Sequence, residues 1–197
     1  MGNSYGNITV KGPTHEQLVE FFTEAGRAAY VSPPVGDVTV VFDESDMRPE
    51  PALLARFTLK FRCPALYVAV YDDDVMLYWL CGAGRSLDEY VSRPEAVPKR
   101  PERSQGGDAS KLITAFDART DAAVVGAVLR KRTKIDEQGQ GCYRMESERH
   151  RDLARVLNLP EFAAGTGFTY IQQGELPKAL AQVKLSYTSG SGGHPTH

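Results

Sequence analysis

Apolar positions in the first ninety residues alternate between two periods. NITVKG, residues 7–12, has the two-residue alternation of a strand. After Pro13 the period lengthens: Leu18, Phe21, Phe22 and Ala25 recur at helical spacing, and Gly26 supplies a stop. Thr14 and Gln17 stand where a capping box needs them, each able to satisfy an amide that the first helical turn leaves unpaired. AAYVS and DVTVVFDE predict two strands around the turn PPVG. Leu53, Leu54, Phe57 and Phe61 share one face of a second helix in PEPALLARFTLKFRCP, and Pro64 ends it because its ring cannot continue the hydrogen-bond ladder. ALYVAVY and VMLYWLC predict a hairpin across Asp72–Asp74, and SLDEYV one further strand. Strand, helix, strand, strand, helix, strand is the order of a ferredoxin-like βαββαβ unit, here with an extra hairpin strand. The expected fold class is therefore α+β: a domain over residues 1–92 whose mixed, largely antiparallel sheet carries both helices on one face.

The second half reads as helical. RPEAVPKRPERSQGGD is rich in Pro, Gly and charge, so residues 93–107 are expected as an exposed linker or loop. DASKLITAFD and DAAVVGAVLRK predict short helices capped by Asp108 and Asp121. SERHRDLARVLNLP predicts a third, capped by Ser147 and ended near Pro160, after a loop at IDEQGQG. Residues 108–180 are expected as a helical part packed on the sheet, and residues 181–197 as a flexible tail.

ERHRDLARVLNLPEFAAGTGFTYIQQGELP begins like a helix-turn-helix. The second helix is missing from the pattern, because Gly165 and Gly167 fall where it should be and together cost about 2 kcal/mol of helix propensity. Nor does any Lys or Arg lie between Pro160 and Glu175 to meet phosphate. The glycines predict a tight turn, and FTYI, built of strand-favouring residues, is expected to dock on or beside the sheet.

Composition narrows the function classes. A net charge of −2 does not point to a polyanion binder, but it conceals an asymmetry. Residues 1–95 carry 8 Lys and Arg against 14 Asp and Glu; residues 96–197 carry 15 against 11. Two oppositely charged halves attract within one fold, or else the basic half presents a face to an acidic partner. Cys63, Cys81 and Cys142 are too sparse for a disulfide framework or for zinc spacing, which predicts a reducing, cytoplasmic setting. No apolar run approaches the roughly 18 residues of a membrane helix, and the N-terminus lacks the regions of a signal peptide.

AAYVSPPVGDVTVVFDE, FRCPALYVAVYDDDVMLYWL and LNLPEFAAGTGFTYIQQGELP together resemble a family of uncharacterised bacterial proteins, over most of the chain up to about Pro177. The resemblance implies a bacterial cytosolic origin and carries over no catalytic residue and no cofactor.

Candidate chemistry is thin. Asp72, Asp73 and Asp74, joined by Asp43 and Glu44 at another strand's end, offer carboxylates to Mg²⁺ or Ca²⁺, although acids also suit a hairpin tip. His150 has Glu146 one turn earlier as an orienting partner for general-base work, yet its charged neighbours suggest a solvated surface position. Cys63 follows Arg62, which could lower its thiol pKa, but a buried cysteine is the plainer reading. His15 lies in a helix's first turn, and His194 and His197 lie in the tail. Arg130, Lys131, Arg132 and Lys134 could meet nucleic acid, although basic residues also suit a helix C-terminus. No nucleophile elbow and no phosphate-binding loop is present in the sequence. Tyr67, Tyr71, Tyr78, Trp79 and Tyr90 cluster on the hairpin strands, so part of this aromatic surface must face away from the first two helices. Either the C-terminal helices cover it or it is a binding face. The expected function is a non-enzymatic protein-binding or regulatory module, immunity- or adaptor-like, with no cofactor; a metal-dependent hydrolase or a weak nucleic-acid binder is the alternative.

Overall fold

The structure is a computed structural model that describes residues 2–48, 50–97, 105–133, 141–181 and 185–190. Its first part runs β1 (Tyr5–Lys11), α1 (His15–Glu24), β2 (Ala29–Val31), β3 (Val38–Asp43), α2 (Pro51–Phe61), β4 (Pro64–Tyr71), β5 (Val75–Gly82) and β6 (Arg85–Val91). Then follow α3 (Ala109–Phe116), α4 (Ala122–Arg130), α5 (Glu146–Val156), α6 (Phe168–Gln172), α7 (Lys178–Ala181) and β7 (Ser186–Thr188). The strands form one seven-stranded sheet in the order β6-β5-β4-β1-β3-β2-β7, with every neighbouring pair antiparallel. The fold is thus mixed α+β, and its sheet is longer than a four-stranded unit.

Alternation divides the central strands cleanly. Ile8, Val10, Val41, Ala65, Tyr67 and Ala69 point to one face, where Leu18, Phe21 and Phe22 of α1 and Leu53, Leu54 and Phe57 of α2 bury them. The capping box at Thr14 is formed, and Phe21 meets Phe57 edge-on with ring centroids 5.2 Å apart. Leu66, Val68, Val70, Tyr78, Leu80 and Tyr90 point to the other face. There Leu112 and Phe116 of α3, Val125 and Leu129 of α4 and Leu153 of α5 close over them. Asp108 and Asp121 cap α3 and α4 as their sequence predicts, accepting from the amides of Ser110 and Ala123. Val40 and Phe42 continue this second face beneath Phe168, Ile171 and Leu180.

Four local expectations are corrected. FTYI is not a strand but the start of α6, and it docks on the sheet as expected, with Phe168 and Ile171 against Val40 and Phe42, while β7 takes the edge beside β2. Gly167 is the extended residue before α6, and a Cβ there would come within 2.8 Å of Tyr5 Cβ and 2.6 Å of Asp46 Oδ1. The stretch 181–197, expected as a flexible tail, contains β7, where the Thr188 hydroxyl donates to Arg27 O at 2.7 Å; residues 191–197, with His194 and His197, lie outside the described residues. The end of the expected linker is a strap: Gly106 bridges to Tyr90, and Gln105 O accepts from Val91 N at 2.9 Å, closing half of the β6 edge. Residues 98–104 and most of the IDEQGQG loop are again outside the described residues. Finally, Ser147 does not cap α5, which begins at Glu146; the Ser147 amide instead donates to Asp73 Oδ1 at 3.1 Å, so the cap comes from a distant hairpin turn.

Candidate functional site

The five aromatic residues expected to form one binding face are split by strand alternation. Tyr67, Tyr71 and Trp79 point to the α1–α2 face, and Tyr67 stacks on Trp79 at 5.7 Å. Tyr78 and Tyr90 point to the opposite face and stack at 5.3 Å beneath α3 and α4. Both are buried, and their hydroxyls donate to Asp88 at 2.6 Å and to Leu129 O at 2.7 Å. Tyr67 donates to Asp46 O and Tyr71 to Met47 O, so four of the five polar tips are already engaged inside the molecule. The C-terminal helices therefore remove Tyr78 and Tyr90 from any surface.

The carboxylates are likewise dispersed. Asp72 accepts from the amide of Gly2 at 2.6 Å. Asp73 is buried and accepts from Asn3 and Ser147, fastening the N-terminal segment and α5 to the β4–β5 turn. Asp74 pairs with Arg93. Asp43 takes both arms of the Arg27 guanidinium at 2.8 and 3.1 Å, and Glu44 accepts from Ala28 N. Among the described residues, no group of three or more His, Cys, Asp or Glu is placed to hold a metal ion.

His150 is buried rather than solvated. Its Nδ1 lies 3.0 Å from the Tyr5 hydroxyl, and desolvation, helped by Arg151, pushes its pKa down to about 3. Glu146 does not orient it. That carboxylate is taken by Arg149 at 2.7 Å and by the Thr133 hydroxyl in a pair with no solvent exposure on either side. His15 is held between Ser32 O and the Ser186 hydroxyl. Of the basic cluster, Arg130 binds Gly107 O, Lys131 sits over the Tyr143 ring at 4.2 Å and Arg132 is exposed; Lys134 lies outside the described residues.

Among the open clefts of the described residues, one of about 540 Å³ at one end of the sheet combines an apolar lining with basic side chains. Three elements build it. The first is the end of α2, where Arg62 takes a left-handed conformation (φ 50°) and Cys63 and Pro64 lead into β4. The second is the β5–β6 turn, tight because both central residues, Ala83 and Gly84, have positive φ, as a two-residue hairpin requires. The Gly84 amide donates to the Thr58 hydroxyl at 3.1 Å and so docks this turn on α2. The third is the outer side of α3, where Ser110, Lys111, Thr114 and Ala115 face the cleft while Leu112 and Phe116 go to the core.

The apolar lining of the cleft comes from Pro64, Leu87, Ala115 and Cys63. Arg62, Arg85 and Lys111 stand around it, all exposed, and no acid lines it. Within the described residues the guanidiniums of Arg62 and Arg85 have neither an ion pair nor a hydrogen bond, whereas Lys111 donates to Leu87 O at 2.9 Å. Burial pushes the Cys63 thiol up to about 11, so Arg62 does not activate it and it is not a thiolate near neutral pH. No imidazole or carboxylate lines this cleft among the described residues; its polar groups are Arg62, Arg85, Lys111, Ser110 and Thr114. Sequence reading missed these residues because Arg62, Arg85 and Lys111 share no motif; they meet only when α3 crosses the end of the sheet. The one local signal is the Ala83–Gly84 turn, which places Arg85 beside the end of α2.

Comparison with known proteins adds no relative: no family model, curated protein or solved structure matches this chain.

Proposed function

We propose that the protein is a non-enzymatic protein-binding module that engages its partner at the cleft between α2, the β5–β6 turn and α3. One observation carries this reading: the open apolar floor is lined by no catalytic base and by a thiol held protonated. Among the described residues, two groups with catalytic potential elsewhere are taken up in buried contacts, His150 with Tyr5 and Glu146 with Arg149. We read the first six elements as a ferredoxin-like core. The run β4-β1-β3-β2 within the sheet order supports this, with β5 and β6 added at one edge and β7 at the other. A cytoplasmic, bacterial, adaptor-like setting goes with this reading, and the three free thiols support the reducing compartment.

The test is affinity capture from the source cells, with and without nuclease, comparing wild type with Leu87→Glu. Leu87 is 39% exposed on the cleft floor, so the change spares the core. The expected result is a stoichiometric protein partner that survives nuclease and is lost with Leu87→Glu while the melting temperature holds. Equal capture by both proteins would remove the cleft as the contact, and loss with nuclease would favour nucleic acid.

A further inference from the structure

The charge around the cleft says what kind of partner it suits. Arg62, Arg85 and Lys111 come from three separate elements and converge on one apolar floor with no acid in the lining. Asp108 is an acid near them, 4.0 Å from the Lys111 ammonium and outside the lining. Cations on a polar surface are usually matched by neighbouring acids, as Lys60 is by Glu24 at 2.9 Å on the same helix that ends at the cleft. Here, within the described residues, Lys111 has only the long contact with Asp108 for an acid partner and the guanidiniums of Arg62 and Arg85 have none, so a net positive potential over low-dielectric groups favours an incoming anion. Depth decides what carries that anion. The three cations are exposed and Leu87 is 39% exposed, so the floor is shallow. A site for a small molecule buries most of its ligand, and an open floor with exposed flanking cations suits a surface segment better. A partner segment can place one apolar side chain on the floor and still reach the surrounding cations with flanking carboxylates.

Resting on the reading of the cleft as the protein's contact site, the geometry points to an acidic partner segment, a short stretch of Asp or Glu interrupted by a single large apolar residue. Arg62 and Arg85 supply planar donors suited to carboxylates, and Lys111 a point charge opposite them. The apolar residue covers Leu87 and Ala115.

Fluorescence anisotropy on the full chain tests this with four probes. The first is a labelled peptide of eight Glu residues around one central Leu. Its controls replace Leu by Ser, or every Glu by Lys, and the fourth is a single-stranded oligonucleotide of equal charge. The first peptide is expected to bind and to weaken about tenfold as salt rises from low to several hundred millimolar. Leu→Ser in the peptide is expected to cost roughly tenfold. R62E/R85E is expected to weaken binding by tenfold or more, with Arg132→Glu as a remote charge control that changes little; Arg85→Glu alone guards against a folding defect at the left-handed position of Arg62. No binding, equal binding of the Lys peptide, an unaffected R62E/R85E protein, or an oligonucleotide that binds as tightly would each overturn the acidic-segment assignment. If these probes fail while Leu87→Glu still loses the captured partner, the cleft remains the contact site and only the class of partner falls. If both fail, the cleft itself is excluded.

Discussion

The two faces of the sheet are filled by different chemistry. Beneath α1 and α2 the interior is largely hydrocarbon: Leu18, Phe21, Phe22, Leu53, Leu54 and Phe57 meet Ile8, Val10 and Val41, the rings pack edge to face, and the buried carboxylate of Asp43 lies at the end of β3, where the partly exposed Arg27 pairs with it. Beneath α3, α4 and α5 the interior also contains charge. Arg149 and Glu146 pair there at zero exposure, and Arg149 donates further to Val128 O at 2.6 Å and to the Thr133 hydroxyl. His150 lies against Tyr5, and Tyr90 shares Leu129 O with Arg149. An apolar face accepts any well-packed helix with the right stripe, whereas the charged face accepts only the register in which each buried donor meets its acceptor. We therefore expect the α5 side to be the more specific and the less tolerant.

The sharpest way to break the comparison is Arg149→Met. It strands Glu146 in the interior, and a loss of about 3–5 kcal/mol is expected in urea denaturation. Phe57→Ala on the other face should cost a similar amount through its cavity. The two differ on repair. The double change E146L/R149M should recover a large part of the loss, because an apolar pair removes the stranded charge. If the double variant is no more stable than Arg149→Met, the buried pair is not what distinguishes this face.

Acid should separate the faces next. The folded pKa of His150 is depressed to about 3 from an ordinary 6.5, so between those values the unfolded chain binds the proton and the folded chain does not. The neutral imidazole therefore contributes stability fully present above about pH 6.5 and lost progressively as pH falls towards 3. The expected total is on the order of a few kcal/mol, and His150→Gln should flatten this part of the curve. Denaturation midpoints of both proteins from pH 7.5 to 4.5 check it, and parallel curves would mean that the ring is not held neutral.

The same contrast explains what was legible in the sequence. α1 and α2 announce themselves through apolar residues at helical spacing, α1 also through the capping box at Thr14 and α2 through a proline at its first position. α5 reads as a polar surface helix, yet Glu146, Arg149 and His150 are buried, because their partners come from Thr133, Tyr5 and the end of α4. Local pattern cannot report a polar residue whose partner is more than a hundred positions away, as Tyr5 is from His150. The aromatic hairpin failed as a binding face for a related reason: alternation put Tyr78 and Trp79 on opposite sides, and the covering helices are remote in sequence. The cleft was illegible because the turn and two helix flanks that form it meet only in the folded molecule.

Replacement by shape should separate the faces more gently. Leu54→Met keeps volume and has no polar partner to lose, so a cost below about 1.5 kcal/mol is expected. Arg149→Lys keeps the charge but loses the forked geometry that reaches Glu146, Val128 O and Thr133 together, and should cost more than Leu54→Met. Thermal melts of the two single variants decide the order, and the reverse ranking would mean that the charged face repacks more freely than the apolar one.

Helix ends give the smallest effects and show that the difference lies in the interiors. Thr14→Ala on α1 and Asp121→Ala on α4 each remove a side-chain acceptor from a first-turn amide and should each cost about 1 kcal/mol. Ser147→Ala on α5 should fall within about 0.5 kcal/mol of wild type, because the Ser147 contact with Asp73 is made by its backbone amide, which alanine retains. A loss of 1 kcal/mol or more at Ser147 would show that its hydroxyl caps the helix after all. The expected silence would leave Asp73, on the β4–β5 turn, as the acceptor that starts α5, tying the polar helix to the sheet at its first residue as well as along its buried face.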